Sequence, residues 1–441
     1  MLYLKNGYLI DPASGTEGHR DILIKDGKIA GILPQGTDSG KKENVEVIDL
    51  KGQYIIPGLV DVHVHFRDPG FTYKEDICSG AEAAARGGFT SVVLMANTKP
   101  AVDNAETLSY VLEKGRETGI HVYTCANVTK GMQGRELTDM ETLSRLGAAG
   151  FTDDGIPLLD EELLRSALQC AARLQRPVSL HEEDPALIQN NGVNAGRAAA
   201  HFGIEGSPRE AEISMVERDL RIAVTQEADL SIQHISTREA VELVRQAKRL
   251  SSHIYAEATP HHFTLTQEAV IRHGTLAKMN PPLREEADRL AIIEGLRDGT
   301  IDMIATDHAP HSTEEKAKPL TEAPSGIIGL ETALSLGIRE LVRKGYLSMS
   351  ELVRKMSYAP AQLYRLDAGY VAEGGPADLV VLDPDGQWVV GGFASRAVNS
   401  PFIGETMPGV ISYTICQGKI VYRGNRETEN ERNQKIKETE N

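Results

Sequence analysis

The chain has 441 residues, 41% of them hydrophobic, and carries a formal net charge of -16 at pH 7. This length is ample for a buried core but long for one compact unit, so we expect a large domain and a smaller one. The negative charge argues against nucleic acid and anionic membrane as partners, because both require a basic surface. A small-molecule substrate fits these properties better.

The cysteines and the N-terminal residues indicate where the protein works. The 4 cysteines are scattered and form no CxxC motif, which is typical of a reduced compartment and argues against a zinc finger. The first residues lack a basic start followed by an apolar run, and no later window approaches the apolar length of a membrane span. We therefore expect a soluble, cytoplasmic protein.

Both ends of the chain have the pattern of short strands separated by turns. Residues 1–56 include a hairpin signal at Asp26-Gly27, and the same strand character returns near the C-terminus in PADLVVLDPDG and YTICQGKIVYRG. We predict that residues 1–56 and 366–425 form one composite β-sandwich. Residues 426–441 are charged and lack apolar periodicity, which predicts a flexible tail.

The middle of the chain, residues 57–365, alternates short β-branched runs with helical patterns. Eight such strand and helix units predict an α/β fold, specifically a (β/α)8 TIM-like barrel. Nearly all the potential metal ligands come at the C-terminal ends of these runs, on the face where such a barrel assembles its active site. The runs are IPGLVDVHVHF, TSVVLMANT, HVYTCANV, GAAGFTDDG, PVSLHEED, DLSIQHIS, HIYAEATPHH and IDMIATDHAPH.

The first run continues into DVHVHFRDPG and has a polar face. Side chains alternate with a period of two, so Asp61, His63, His65 and Arg67 point one way in a strand that should be buried. Such groups need a strong compensating interaction, which a metal ion supplies. An edge strand with solvated histidines is the alternative, and the HxH spacing alone leaves it open. The other runs favour the metal site.

Further candidate ligands lie one per strand end in the later runs, namely Asp153 or Asp154, His181, His234 and Asp307. Imidazole and carboxylate groups suit zinc at a hydrolytic site, and this set would serve two ions with one shared carboxylate. Water activated by such a centre attacks an amide or imide carbonyl, and a base and an acid must move its protons. Asp307 is our candidate for this proton shuttle, with a purely structural ligand as the alternative.

Seven segments, taken in order, resemble the class I dihydroorotases of the amidohydrolase superfamily. The match spans nearly the whole chain, and HFRDPG, NPPLR and DHAPH together are highly specific. The resemblance implies a zinc-bearing barrel flanked by a β-sandwich, and reversible hydrolysis of (S)-dihydroorotate to N-carbamoyl-L-aspartate in de novo pyrimidine biosynthesis. The segments are DVHVHFRDPG, MANTKP, FTDDG, LHEED, QHIS, NPPLR and TDHAPH.

The resemblance also implies the roles of individual residues. It implies one or two zinc ions per subunit, with two favoured, and places the bridging carboxylate directly before a glycine, which selects the second Asp of FTDDG. The implied ligands are His63 and His65 for one ion, His181 and His234 for the other, Asp154 between them, and Asp307 as both ligand and general acid/base. The implied substrate contacts are His65, Arg67, Asn97, Asn280, His311, Ser325 and Gly326.

The region around the substrate has three further features. Arg67 would clamp the substrate carboxylate, for which its planar fork is suited, and Asn97 and His311 would complete that pocket. The family often has PFG where this chain has PSG at 324–326, so an aromatic contact is lost, whereas a backbone contact would survive. The polar stretch at 309–325 is either a mobile lid or a solvated loop.

Two other functions compete with dihydroorotase. Hydantoinases, dihydropyrimidinases and allantoinases typically bridge their metals with a carboxylated lysine on the fourth strand, and the fourth run, GAAGFTDDG, has no lysine. A catalytically silent scaffold for aspartate transcarbamoylase would have lost metal ligands, and all the expected ligand positions are filled. We further expect a homodimer and leave open an association with that transcarbamoylase.

Overall fold

The computed structural model of the protein describes residues 1–37 and 45–424, so the predicted tail at 426–441 lies outside the described residues. No helix in this described part of the chain is long and apolar enough to cross a membrane. The strands are β1 (Leu2–Asp11), β2 (Thr16–Lys25), β3 (Lys28–Pro34), β4 (Glu46–Asp49), β5 (Tyr54–Pro57), β6 (Leu59–Val64), β7 (Phe89–Leu94), β8 (His121–Thr124), β9 (Val178–Leu180), β10 (Leu230–Ile232), β11 (Ile254–Ala258), β12 (Met303–Ile304), β13 (Leu379–Val389), β14 (Thr406–Cys416) and β15 (Lys419–Arg423). The α-helices are α1 (Ile77–Arg86), α2 (Ala105–Arg116), α3 (Met140–Leu146), α4 (Glu161–Leu174), α5 (Arg197–Phe202), α6 (Glu210–Ala223), α7 (Arg238–Lys248), α8 (Pro260–Thr264), α9 (Glu268–His273), α10 (Glu286–Asp298), α11 (Thr313–Lys316), α12 (Ala333–Gly337), α13 (Met349–Val353) and α14 (Ala359–Tyr364).

Parallel strands form the barrel that the eight runs predicted. β6, β7 and β8 pair in one group, and β9, β10, β11 and β12 pair in another. Single parallel bridges join the two groups: Phe151 bridges to Ala126 on one side and to Val178 on the other, and Val64 bridges to His308. The ring therefore closes through all eight runs, and the predicted (β/α)8 fold class is confirmed.

The fourth run, GAAGFTDDG, joins the ring without forming a regular strand. It contributes bridges at Phe151 to the neighbouring third and fifth runs. A side chain at Gly150 would meet the carbonyl oxygen of Pro177 at 3.0 Å, so the backbones approach closely here. Glycine permits this approach but weakens a strand, since it has no side chain to pack.

Helices cover the outside of the ring, and their sequences explain where they begin and end. In α1, Asp76 caps the N-terminus by accepting a hydrogen bond from the Ser79 N–H, and Gly87 follows the last turn. Its inner face is apolar, with Ala81 and Ala84 buried. α4, α6 and α7 also bury one face. The helices return the chain to the start of each next strand, so the strand ends all meet on one face of the barrel.

The strands of the two chain ends pair with each other. They form one continuous 8-stranded sheet in the order β15-β14-β13-β5-β1-β2-β3, with β4 paired to β1. The join is antiparallel, with Ile56 of β5 opposite Val380 of β13. An apolar cluster drawn from both ends, with Leu4, Ile22 and Ile415 among its members, is separate from the core of the barrel. The domain boundaries at residues 56 and 366 stay a prediction.

A polar cluster links the sheet to the N-terminal end of the barrel strands. His121 Nε2, at the start of β8, lies 2.9 Å from Asp378 Oδ2, and Asp378 Oδ1 accepts from the Gln417 N–H at 2.7 Å. Burial and the neighbouring Asp378 raise the pKa of the Cys416 thiol. Asp378 thus contacts both His121 of the barrel and Gln417 of the sheet, so this cluster acts as a structural contact at the end of the barrel opposite the predicted site.

Candidate active site

Two groups of buried side chains at the C-terminal ends of the barrel strands share one carboxylate. His63 and His65, at the end of β6, form one group with Asp154. His181 and His234, just beyond β9 and β10, form the other group with the same Asp154. Within each group, the ligand atoms lie within 4.8 Å of one another. The fold thus brings side chains from four separate runs to one point.

Asp307 completes the first group. Its Oδ1 lies 3.0 Å from His65 Nε2 and 3.6 Å from His63 Nε2. The oxygens of Asp154 lie 3.4 Å from His63 Nε2 and 3.5 Å from His65 Nε2. Ligand atoms placed about 2.0–2.2 Å from a tetrahedral zinc ion are about 3.3–3.6 Å apart. Three of the four observed spacings lie in this range, and the distance from Asp307 Oδ1 to His65 Nε2 is shorter.

Two further observations fit a metal. One concerns the Nε2 atom of His63 in the first group, and the other concerns the spacing of the second group. His63 Nε2 faces both carboxylates and is buried without a hydrogen-bond partner among the described residues. His181 Nδ1 lies 3.0 Å from His234 Nε2, which lies 3.9 Å from Asp154 Oδ1. Imidazole and carboxylate donors of this kind suit a borderline cation such as zinc. The predicted ligands therefore lie together, and their roles as ligands stay a prediction.

The shared carboxylate is held in its ionised form. Burial alone would raise the pKa of Asp154, but the charges of His63, His65 and His181 lower it well below its usual range. Burial alone would lower the pKa of His63, but Glu257 and Asp154 raise it well above its usual value. A metal ligand must be ionised if it is a carboxylate and neutral if it is an imidazole, so metal binding here would release protons from the histidines.

The two aspartates of FTDDG have different partners. Asp153 belongs to a loop contact: its Oδ1 accepts from the backbone N–H groups of Val128 at 2.9 Å and Thr129 at 3.2 Å, and from Asn127 Nδ2 at 3.3 Å. Asp154 lies among the histidines instead. The residue pattern left open which of the two aspartates is the shared ligand. The structure favours Asp154, which is the residue that the family resemblance implied.

Three of the predicted site residues have a left-handed backbone, namely Arg67 with φ 60°, His234 with φ 28° and Asp307 with φ 48°. Non-glycine residues adopt this region rarely, at a cost on the order of 1–3 kcal/mol each. All three follow the ends of barrel strands. The strain is thus located where the chain turns out of a strand and directs a side chain into the site.

Asp61, predicted on the same face as the histidines, makes a structural contact. Its Oδ1 accepts from the backbone N–H groups of His63 at 3.1 Å and Thr306 at 3.2 Å, which ties the first strand of the barrel to the eighth. Burial raises the pKa of Asp61 to about 7. Asp61 therefore lies on the polar face because it joins the first and eighth strands and so closes the ring of the barrel.

Glu257, in β11, faces the site and was missed by the sequence reasoning. Its Oε1 lies 2.5 Å from His63 Nδ1, the ring nitrogen opposite the one that faces the carboxylates. Such a contact fixes the tautomer and the orientation of an imidazole that binds a metal. The signal that could have revealed it is a carboxylate inside the buried run HIYAEATPHH.

Replacing Glu257 should weaken metal binding. Glu257→Gln removes the negative charge beside His63 Nδ1, and we expect zinc affinity to fall about 10- to 100-fold. Competition with a chelator of known affinity measures the change. Glu162→Gln is the matched control, because the Glu162 side chain is 85% exposed on α4. Equal zinc affinity in both variants would contradict a role for Glu257 in orienting His63.

A cavity of about 270 Å³ lies over the cluster. Its small size suits a compact ligand, since drug-sized ligands occupy about 300–1,000 Å³. All the predicted site residues line it except His63, which lies in β6 and is buried. The lining residues are His65, Arg67, Asn97, Asp154, Gly155, His181, Asn191, His234, Asn280, Asp307, Ala309, His311, Ser325 and Gly326.

One wall of this cavity is positively charged. Arg67 Nε donates to the carbonyl oxygen of Pro310 at 3.3 Å, and Arg67 Nη2 lies 3.5 Å from His311 Nε2. Burial, with the charges of Arg67 and Lys74, holds the pKa of His311 well below its usual value, so this imidazole is neutral. Lys74 is paired with Glu315 at 2.8 Å. The Arg67 guanidinium is therefore the cation that faces the cavity, and its fork suits a carboxylate.

Two asparagines predicted as substrate contacts lie beside the predicted ligands. Asn97 Oδ1 lies 3.0 Å from His65 Nδ1, and Asn97 Nδ2 donates to Asp154 Oδ2 at 3.2 Å. Asn280 Nδ2 lies 3.3 Å from His181 Nε2. Both amides thus contact the predicted ligands on one side and reach the cavity on the other.

The PSG segment forms an adjoining wall, because His311 Nε2 lies 2.8 Å from the Ser325 carbonyl oxygen. Ser325 Oγ donates to Asn191 Oδ1 at 2.8 Å, so the serine that replaces an aromatic residue makes a polar contact of its own. Gly326 has φ 116°, and a side chain there would meet Ala309 Cβ at 2.6 Å. Asn191 also lines the cavity and was missed, because nothing in QNNGV distinguishes it from an ordinary loop residue.

Comparison with known proteins decides the family. The model of the amidohydrolase family matches residues 54–421. The chain belongs to the amidohydrolase family. The dihydroorotase of Clostridioides difficile (strain 630) is 54% identical over 422 residues, which cover 96% of this chain and 100% of that protein. The dihydroorotase of Lactococcus lactis subsp. lactis (strain IL1403) is 51% identical over 423 residues, which cover 96% and 99%.

Solved hydantoinase structures share the architecture. The L-hydantoinase (dihydropyrimidinase) from Arthrobacter aurescens superimposes with a TM-score of 0.85 at 26% identity, over 96% of each chain. The D-hydantoinase (dihydropyrimidinase) from Thermus sp. superimposes with a TM-score of 0.81 at 25% identity. The amidohydrolase family is metal-dependent, and the two ligand groups that share Asp154 are candidate sites for the metal.

Proposed function

We propose that the protein is a dihydroorotase, which opens and closes the ring of (S)-dihydroorotate by reversible hydrolysis to N-carbamoyl-L-aspartate. The relatives named dihydroorotase match nearly the whole chain at about half identity. The observation that carries the assignment to this substrate is the Arg67 guanidinium, which faces a small cavity directly above the shared-carboxylate cluster. The cavity thus combines a carboxylate-binding wall with a hydrolytic centre.

The ring carboxylate distinguishes dihydroorotate from the substrates of the solved relatives. Hydantoin and dihydrouracil lack this group, so they would leave the buried Arg67 without an anionic partner, and such a mismatch is costly. The fourth run supplies Asp154 at the cluster and contains no lysine that could be carboxylated. Both features favour dihydroorotate over the other cyclic amides.

We infer that the metal is zinc and that two ions bind per subunit. His63, His65 and Asp307 would hold one ion, His181 and His234 the other, and Asp154 would contact both. Zinc, when bound, supplies Lewis-acid polarisation of a carbonyl and lowers the pKa of water. The donor types and their spacings support this proposal.

Asp307 would move the protons. It lies on the cavity wall beside His65, within reach of a ligand that occupies the cavity. As water attacks the ring carbonyl, Asp307 takes up a proton from it and then gives a proton to the ring nitrogen as the C–N bond breaks. The products are a carboxylic acid, which gives its proton to solvent and becomes a carboxylate, and a carbamoyl NH2 group. The same residue works in reverse during ring closure.

Arg67 and its neighbours would hold the ring in place. The guanidinium binds the ring carboxylate, and Asn97 and His311 flank it on the cavity wall. Because the pKa of His311 is held well below its usual value, its neutral ring adds a polar contact without a second charge. Orientation of this kind lowers the barrier by bringing the carbonyl to the attacking water.

A panel of cyclic amides tests the proposal. Purified, zinc-replete protein is assayed with L-dihydroorotate, hydantoin, dihydrouracil and allantoin, and we expect turnover of L-dihydroorotate alone. Turnover of hydantoin or allantoin with none of dihydroorotate would move the assignment to the other cyclic amidohydrolases. Absence of turnover on a protein that also binds no zinc would favour the catalytically silent scaffold.

Arg67→Met should weaken substrate binding. The methionine keeps most of the apolar stem but removes the charged hydrogen bonds, so we expect KM for dihydroorotate to rise about 10- to 100-fold. Steady-state kinetics measure this, with zinc content as the control for an intact cluster. The variant should therefore change KM for dihydroorotate and leave the folded structure intact. An unchanged KM would show that another group binds the ring carboxylate.

The proposal also includes the compartment, the oligomeric state and a protein partner. We propose a cytoplasmic homodimer, and an association with aspartate transcarbamoylase stays an open hypothesis. Size-exclusion chromatography with light scattering determines the oligomer. Co-purification of the two proteins tests the association.

A further inference from the structure

Two buried lysines lie behind the cavity, outside the metal cluster. Lys278 precedes the NPPLR segment and Lys316 ends α11, and they are only 4% and 5% exposed. Neither ammonium is in a salt bridge within the described part of the chain. Glu315, next to Lys316 in sequence, pairs with Lys74 instead. Two cations are therefore buried without the carboxylate partner that such burial usually requires.

Both lysines bind backbone carbonyls of a single segment, residues 320–326. This segment ends in the Ser325 and Gly326 that line the cavity. Its backbone is also joined to the lysine segment by the Gly326 N–H, which donates to the carbonyl oxygen of Lys278 at 2.8 Å. The Nζ to oxygen distances are 2.7 Å from Lys278 to both Leu320 and Ala323, 2.9 Å from Lys316 to Pro324, and 3.0 Å from Lys316 to Gly326.

Burying two ammonium groups close together costs electrostatic free energy. Burial, together with the charge of Lys278, lowers the pKa of Lys316 to about 7. Burial also lowers the pKa of Lys278. A neutral amine keeps two N–H donors, so the hydrogen bonds to the carbonyls persist whether or not Lys316 is charged. A loop that only needed to cover the surface could be held by apolar packing, which would avoid the cost of burying two amines.

We propose that Lys278 and Lys316 are positioning residues that fix the 320–326 segment as a rigid wall, so that Ser325 and Gly326 present their backbone to the substrate. This inference rests on the proposed function. The wall is joined to the Arg67 side of the cavity, because His311 Nε2 lies 2.8 Å from the Ser325 carbonyl oxygen. The segment therefore acts as a fixed part of the pocket, in contrast to the mobile lid considered from sequence.

Two methionine variants and one control test this role. Lys278→Met and Lys316→Met each remove two hydrogen bonds to the segment and keep the apolar stem. Lys318→Met is the control, since Lys318 is exposed in the same stretch. We expect KM for dihydroorotate to rise about tenfold or more in the first two, because a displacement of about 1 Å in a substrate contact costs up to about 100-fold. Zinc content and the Lys318→Met kinetics should match the wild type.

Amide hydrogen exchange of residues 320–326 provides a readout that does not depend on catalysis. We expect exchange to accelerate about tenfold or more in Lys278→Met and Lys316→Met. An unchanged exchange rate would show that Lys278 and Lys316 do not fix the 320–326 segment, and would overturn the proposal. Accelerated exchange with an unchanged KM in both variants would also overturn the proposal, because a merely structural contact gives that result. If the wild type hydrolyses a different cyclic amide, the proposed function fails, and KM for that amide then tests the lysines.

Discussion

Asp307→Asn should lower kcat for dihydroorotate by about 100- to 10,000-fold, the range typical of general acid/base catalysis. The asparagine has nearly the same size and keeps an oxygen that can lie near His65 Nε2, where Asp307 Oδ1 is found at 3.0 Å. It cannot take up or release a proton at the pH of the assay. Steady-state kinetics in both reaction directions measure the loss, which should be of similar size in each.

Metal analysis separates this chemical effect from loss of the cluster. Zinc content of Asp307→Asn should stay close to that of the wild type, because four histidines and Asp154 remain within reach of one or other ion. Asp26→Asn is the matched control: the Asp26 side chain is 87% exposed, and asparagine tolerates its left-handed φ of 51°. A kcat for Asp307→Asn within a few-fold of the wild type would eliminate Asp307 as the proton shuttle.

Asp154→Asn should remove zinc as well as activity. Asp154 is the one carboxylate that both ligand groups contain, and the histidines around it hold its pKa well below its usual range. A neutral amide cannot balance the charge of two cations. We expect zinc content to fall by about half or more and turnover to fall by about 1,000-fold or more, since the hydrolytic centre depends on the metals.

The neighbouring aspartate gives a matched control for this variant. Asp153→Asn makes the same chemical change one residue earlier, where the carboxylate accepts from Val128 and Thr129. We expect it to lower the free energy of unfolding by about 1–3 kcal/mol while zinc stays bound, because asparagine keeps only one of the two oxygens that accept from the buried groups of this loop. The opposite result, with zinc lost from Asp153→Asn and retained in Asp154→Asn, would reverse the assignment of the two residues.

The barrel could be predicted from sequence because its signals are local. Each run carries its own β-branched pattern, and each ligand lies toward the C-terminal end of a run, so strand ends and candidate ligands are found together. The fourth run shows the limit of this reasoning. Its glycines reduce it to bridges around Phe151, since close backbone approach replaces a regular strand.

Side chains that act through distant partners could not be predicted. Glu257 contacts His63 across 194 residues of sequence, and Ser325 contacts Asn191 across 134. Such pairs depend on the order of strands around the ring and on the paths of loops, which no local pattern specifies. The two lysines behind the cavity were missed for a further reason, because a lysine in a polar stretch is normally a solvated residue.

The family motif resolved what residue chemistry left open. Asp153 and Asp154 are identical in type and adjacent, and neither strand parity nor composition separates them. In the structure, they differ because Asp153 turns toward the loop at residues 127–129 and Asp154 turns toward the histidines. The conformation of a single turn therefore decides which carboxylate reaches the cluster.

Ring opening of L-dihydroorotate by zinc-replete protein, followed by loss of its ultraviolet absorbance, is the most direct test of a zinc-dependent dihydroorotase. The same assay is run after removal of metal by a chelator and again after zinc is restored. We predict robust turnover that is lost with the metal and regained with zinc. No turnover by protein shown to contain zinc, in either direction of the reaction, would contradict the proposed function.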